Sequence, residues 1–209
     1  MPTRGVSIVN VSLMLLSLSV AAAAAPPLYC TAQRVRDDFG VLYYPNGQRV
    51  VDAFGKEYYP NGNRVVNDFG DEIRYSNGSR TRNSFGNVLF PNGAVVKSAF
   101  GDVRYPNGAR TRDPAGTCYF ETGAEMRPCQ LSVEIRERLP GGETAFYRLD
   151  LVAGTIDLRT IRYEFPSSSL PASGRLPFSY VISVSADLVA GRIDRGSIAA
   201  VCTSGTPPR

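Results

Sequence analysis

Hydrophobic and polar positions in this chain recur at an interval of about fifteen residues. Phe-Gly pairs begin at Phe39, Phe54, Phe69, Phe85 and Phe100, and aromatic-led Asn-Gly turns begin at Tyr44, Tyr59, Tyr75, Phe90 and Tyr105. Between the turns lie stretches of four or five residues rich in Tyr, Val, Ile and Arg, the length and composition of short strands. A short fixed period outranks local propensity, because each unit must stack on its neighbours to bury anything. The pattern predicts two short strands and two tight turns per unit, repeated as a meander.

Both turns share one grammar, with Gly at the fourth position and an Asx, Ser or aromatic residue at the first, as in a type I turn closed by a left-handed glycine. The Phe-Gly turns start with Asp37, Asp52, Asn67, Asn83, Ser98 and Asp113, whose short side chains accept a backbone N–H. A calcium site needs several such oxygens converging, so turn capping is the stronger reading. With Tyr59 opposite Asn63, Tyr58 falls opposite Arg64 and Glu57 opposite Val65. One face then carries Tyr44, Tyr59, Tyr75, Phe90 and Tyr105 beside Val50, Val65, Thr81, Val96 and Thr111. The other sets Arg49, Arg64, Arg80 and Arg110 against Tyr43, Tyr58, Arg74 and Arg104, and predicts cation-π contacts at the first two pairs.

Weaker copies at Leu28–Val35 and Ala115–Gly123 extend the array, as end caps do. The third unit is one residue longer between Phe69 and Tyr75, which predicts a β-bulge. Beyond Cys129 alternation takes over, with strands expected from Leu131 to Ile135, through Phe146 to Leu149, and over Thr155–Phe165, Phe178–Val189 and Ser197–Cys202. The expected fold is therefore all-β. A tandem β-hairpin repeat array over 28–129, as a meander or coiled ribbon, precedes a small antiparallel β-domain over 130–209.

The ends add a compartment. Arg4, the apolar run Val11–Val20 and the alanines up to Ala25 read as a secretory signal peptide over 1–25, which places the mature chain in the periplasm or outside the cell. No membrane span is expected after its removal. Cleavage lowers the formal net charge from +4 to about +3, too mild and too dispersed an excess to imply nucleic acid.

The chain contains no histidine, which removes the usual zinc sites, the Ser-His-Asp triad and the Cys-His dyad. No catalytic, cofactor or metal residues are assigned. The segments Asp150–Asp157 and Asp187–Asp194 echo one another, which a duplicated hairpin explains better than paired catalytic aspartates. Glu134 and Glu137 likewise read as strand surface before they read as a glycosidase pair. Four cysteines in a secreted chain imply two disulfides. In the sixth unit Cys118 faces Met126 rather than Cys129, so the expected pairing is Cys129 with Cys202 and Cys30 with Cys118.

Tandem hairpins marked by an aromatic and an Asn-Gly turn resemble MORN-type repeats over about residues 28–129, with a shorter period and without the regular Gly-x-Gly ending. The resemblance implies a binding or scaffolding surface rather than an active site. The function expected is a non-catalytic secreted protein that binds an envelope glycan, another envelope polymer or a protein surface through its repeat sheet. The contact candidates are Tyr43, Tyr58, Arg49, Arg64, Arg80 and Arg110. The alternatives are an extracytoplasmic hydrolase with the repeats as its targeting module, and a purely structural or adhesive protein.

Overall fold

A computed structural model describes residues 35–171 and 179–204. The expected signal peptide, Cys30 and nearly all of the first weak copy lie outside the described residues. Among the described residues the structure is almost wholly antiparallel strand pairing, with one short 3-10 turn at Ser167–Ser169.

In the first part, β1 (Val35–Arg36) pairs with β2 (Leu42–Tyr43). A ladder of single antiparallel bridges then runs from Tyr43 opposite Arg49, through Tyr58 opposite Arg64, to Tyr119 opposite Glu125. The turns close as their sequences require. Gly40 N–H donates to Asp37 O at 2.9 Å, and Asp37 N–H donates to Val41 O at 3.2 Å. Gly40 stands at φ 79° and Gly47 at φ 83°, where a side chain is strained. In the third unit Asn67 N–H reaches Glu72 O, whereas Asp52 N–H reaches Lys56 O, so the extra residue is taken up at the foot of the Phe-Gly turn.

Side chains tie each turn to the next. Tyr44 donates its hydroxyl to Tyr58 O at 2.8 Å, Tyr75 to Leu89 O at 2.7 Å and Tyr105 to Tyr119 O at 2.7 Å. Asn46, Asn77 and Asn92 donate Nδ2 to the carbonyls of Pro60, Pro91 and Pro106, each at 2.8 Å. Isolated bridges alone would leave many buried backbone carbonyls unpaired, and these tyrosines and asparagines satisfy them.

The second part is an antiparallel sheet in the order β3 (Ser132–Arg138), β4 (Thr144–Asp150), β6 (Ile161–Pro166), β7 (Ser179–Asp187), β8 (Arg192–Ser204), with β5 (Thr155–Ile156) paired to β4. The single strand expected over Thr155–Phe165 is divided by a turn in which Thr160 N–H donates to Asp157 O and Arg159 N–H to Asp157 Oδ1. Alternation buries Tyr147, Leu149, Ile161, Tyr163, Phe165, Ile182 and Val184 on one face.

That face lies on the tyrosine row of the bridge ladder, and the two parts share one core. Tyr59 meets Tyr163 edge-on with ring centroids 5.3 Å apart, and Phe90 lies 6.2 Å from Tyr147. Burial of Tyr44, Tyr59, Tyr75, Phe90 and Tyr105 at 0–2% exposure agrees with the apolar face read from the register. The seam is close at two glycines. A Cβ on Gly154 would stand 2.8 Å from Val103 Cγ2, and one on Gly191 would stand 2.9 Å from Val66 Cγ2. These glycines occupy equivalent places in the two echoed segments, so the echo docks twice on the ladder.

The cysteine pairing differs from the one expected. Cys118 is bonded to Cys129, with Cα atoms 5.5 Å apart, which rules out both Cys129 with Cys202 and Cys30 with Cys118. The register behind the expectation is present, since Met126 N–H donates to Cys118 O at 2.7 Å. The chain doubles back directly after Met126, where Gln130 N–H reaches the Met126 sulfur, and this return brings Cys129 to Cys118.

Candidate functional site

The face of the ladder turned away from the shared core carries the residues expected to touch a ligand. Arg49 lies over the Tyr43 ring and Arg64 over the Tyr58 ring, each guanidinium carbon 5.8 Å from the ring centroid. The rings are fixed from below. Tyr43 donates its hydroxyl to Asp37 Oδ2 at 3.2 Å and Tyr58 to Asp52 Oδ2 at 3.0 Å, while Oδ1 of each aspartate accepts backbone N–H groups of its own turn. The third such pair, Tyr119 to Asp113 at 3.0 Å, stands at the far end.

This arrangement sorts the turn-starting residues. Aspartate occurs at the turns whose strand supplies an outward tyrosine six residues on, at Asp37, Asp52 and Asp113. Asn67, Asn83 and Ser98 stand where Arg74, Leu89 and Arg104 take the tyrosine's place. Turn capping needs one oxygen, and the second carboxylate oxygen serves the tyrosine. Electrostatics follow: the Val41 N–H holds Asp37 below its ordinary range, and the Thr117 N–H does the same for Asp113. Tyr58 is raised by burial and by its bond to Asp52.

The arginines are not equivalent. Arg64 is paired with Asp68, and Arg80 Nε reaches Glu72 at 2.8 Å beside Arg74 on the same carboxylate. Arg49 and Arg110 make no ion pair among the described residues. Leu89 opposite Val95 interrupts the basic row with an apolar step. The face is thus a graded surface of two aromatic-arginine platforms, an acid-buffered arginine cluster, an apolar gap and a free arginine.

The C-terminal carboxylates are occupied by backbone. Asp150 Oδ1 accepts the Val152 and Ala153 N–H groups, and Asp187 Oδ1 accepts those of Val189 and Ala190. Asp157 and Asp194 accept from Arg159 and Gly196 N–H in the same manner. All four aspartates of the echo are therefore turn caps. Glu137 accepts from the Tyr147 hydroxyl at 2.6 Å and is raised by burial, and the exposed Glu134 stands opposite Arg148. A cleft of about 660 Å³ at the seam is lined by Glu57, Arg192, Asp194 and Arg195. Its Glu57 is consumed by the Ile193 N–H and by Arg195 Nη2 at 2.7 Å, a clamp between the two parts rather than an open site. No group of three or more metal-ligating side chains occurs among the described residues.

The sequence reading missed one surface. Phe39, Phe54, Phe69, Phe85 and Phe100 are 85–95% exposed at the tips of their turns. A type I turn makes no demand for an aromatic at its third position, so the recurrence of Phe at a place that local geometry leaves free was the available clue. No family model, curated protein or solved structure matches this chain.

Proposed function

We propose that the chain is an extracytoplasmic, non-catalytic tandem β-hairpin protein, MORN-like in its grammar. It holds a linear envelope polymer or protein partner along the outward face of its ladder. The observation that carries this is the pair of Arg-over-Tyr platforms at Tyr43 with Arg49 and Tyr58 with Arg64, one unit apart and each fixed by a turn aspartate. Aromatic rings held in place stack on sugar or planar groups at little entropic cost, and the guanidinium of Arg49, over the Tyr43 ring and without an ion pair among the described residues, is suited to an anionic substituent. The disulfide is compatible with an extracellular setting. Among the described residues no helix is long and apolar enough to cross a membrane.

The test is co-sedimentation of the purified chain from residue 26 with purified wall polymer and with envelope fractions. Saturable retention that falls about tenfold in the Arg49→Ala/Arg64→Ala variant, with unchanged melting, is the expected outcome, since a charged hydrogen bond and a cation-π contact together contribute about 1–3 kcal/mol. Retention that is indifferent to both substitutions removes this face from the function.

A further inference from the structure

We infer that the phenylalanine edge is an interface between two copies of this chain, joined antiparallel about a two-fold axis between the third and fourth Phe-Gly turns. Five phenylalanines at 85–95% exposure, one at each successive Phe-Gly turn, are more apolar surface than a monomer ordinarily leaves open. At roughly 150–250 Å² per aromatic, the row offers on the order of 1,000 Å² per copy. A standard stable interface needs about 800 Å² from each partner. The turns hold these rings without using them: Phe54 N–H is bonded to Asp52 Oδ1 at 2.8 Å, and the ring itself is 85% exposed.

Periodicity makes the edge complementary to itself. Successive turns are two strands apart, about 9.6 Å at the usual strand spacing. Turn for turn across the axis, each partner ring would meet one ring of the row, at the roughly 4.5–7 Å centroid separation that aromatic pairs favour. Apolar surface continues beside the row. Val152 and Val189 are 58% and 53% exposed, and each lines a cleft shared with the foot of a Phe-Gly turn.

Charge selects the orientation. In the third turn Asp68 is held by Arg64 and Glu72 by Arg74 and Arg80, which leaves Asp71 as the carboxylate without an ion pair among the described residues, whereas the fourth, Asn83–Asn87, has no carboxylate and follows Arg82. A two-fold axis between them sets the acidic turn of each copy against the basic turn of the other, and axes through the third turn would oppose like charges. The same axis places Phe39 opposite the sixth turn, where Ala115 replaces phenylalanine and leaves room.

Sedimentation velocity over about a hundredfold range of concentration reads the assembly directly. The expected species is a dimer that the Phe54→Ser/Phe69→Ser/Phe85→Ser variant converts to a monomer with unchanged far-UV circular dichroism, melting at the temperature the wild type shows when diluted to monomer. Asp71→Lys and Arg82→Glu should each weaken dimerisation about tenfold, and the two together should restore it. A wild-type monomer throughout, or a dimer untouched by the triple variant, overturns the interface. Failure of the paired charge reversal to recover overturns the antiparallel register. A monomer that binds wall polymer and loses it in the triple variant also overturns the proposal, by assigning the edge to polymer.

Discussion

The bridge ladder over residues 35–126 and the six-stranded sheet over residues 132–204 reach the same result, a face buried in one core, by opposite means. The sheet is held by continuous pairing, with register running unbroken from Ser132 opposite Asp150 to Arg138 opposite Thr144. In the ladder, pairing after β2 is by single bridges separated by bends at Val50, Val65, Thr81, Val96 and Thr111, and side chains complete what the backbone leaves open. Its Tyr hydroxyls and Asn amides reach carbonyls 14 or 15 residues away, one unit along the chain. The sheet therefore tolerates variety in its sequence, while the ladder is bound to a period. The aromatic that recurs at the head of the Asn-Gly turns has a hydrogen-bonding task at Tyr44, Tyr59, Tyr75 and Tyr105, while Phe90 fills the same buried slot without the hydroxyl.

The largest expected effect comes from the contact that joins the two regions. Tyr59→Ala and Tyr163→Ala each remove a side chain with 0% exposure and should cost about 3–5 kcal/mol in denaturant unfolding. Both regions should lose structure in one transition, and separate transitions for the ladder and the sheet would break the shared-core description. The double variant should be less harmful than the sum by about 0.5–1.5 kcal/mol, because the rings touch.

Next in size is the twofold docking of the echoed segments. Gly154→Ala and Gly191→Ala place a methyl 2.8–2.9 Å from a ladder valine at φ 66° and should each destabilise by about 1–3 kcal/mol. Their effects should add, since the contacts fall on different units, at Val103 and Val66. Strong non-additivity in thermal melts would mean that the two dockings are one coupled event.

The smallest effect separates the ladder's charged turns from its neutral ones. Asp37 and Asp113 have folded pKa values below their ordinary range, held there by the Val41 and Thr117 N–H groups. Their contribution is present above the unfolded aspartate range and is lost as pH falls through the lower folded values. Asn67 and Asn83 accept the same backbone bonds without titrating. Asp37→Asn/Asp113→Asn should therefore shallow the decline of melting temperature as pH drops from about 5 to about 2. An unchanged slope would place the acid sensitivity elsewhere.

Much of the ladder was legible because its determinants are local. Asn-Gly turns set the register that puts Tyr58 opposite Arg64, and alternation from that register identified both the buried tyrosines and the Arg-over-Tyr pairs. The sorting of Asp from Asn at turn starts is also readable, as a correlation with the tyrosine six residues later, although capping alone accounts for either residue.

Sequence by itself determined the period, the turn chemistry, the two faces and the all-β character, since each depends on residues within one or two units of each other. Tertiary structure alone decided what covers the tyrosine face, which partner Cys118 takes, that Glu57 clamps β8, and that five recurring phenylalanines stand in solvent. Those outcomes turn on how a second layer seats against the first. Local pattern states which side of a strand is apolar, and it does not state which distant segment will arrive to bury it.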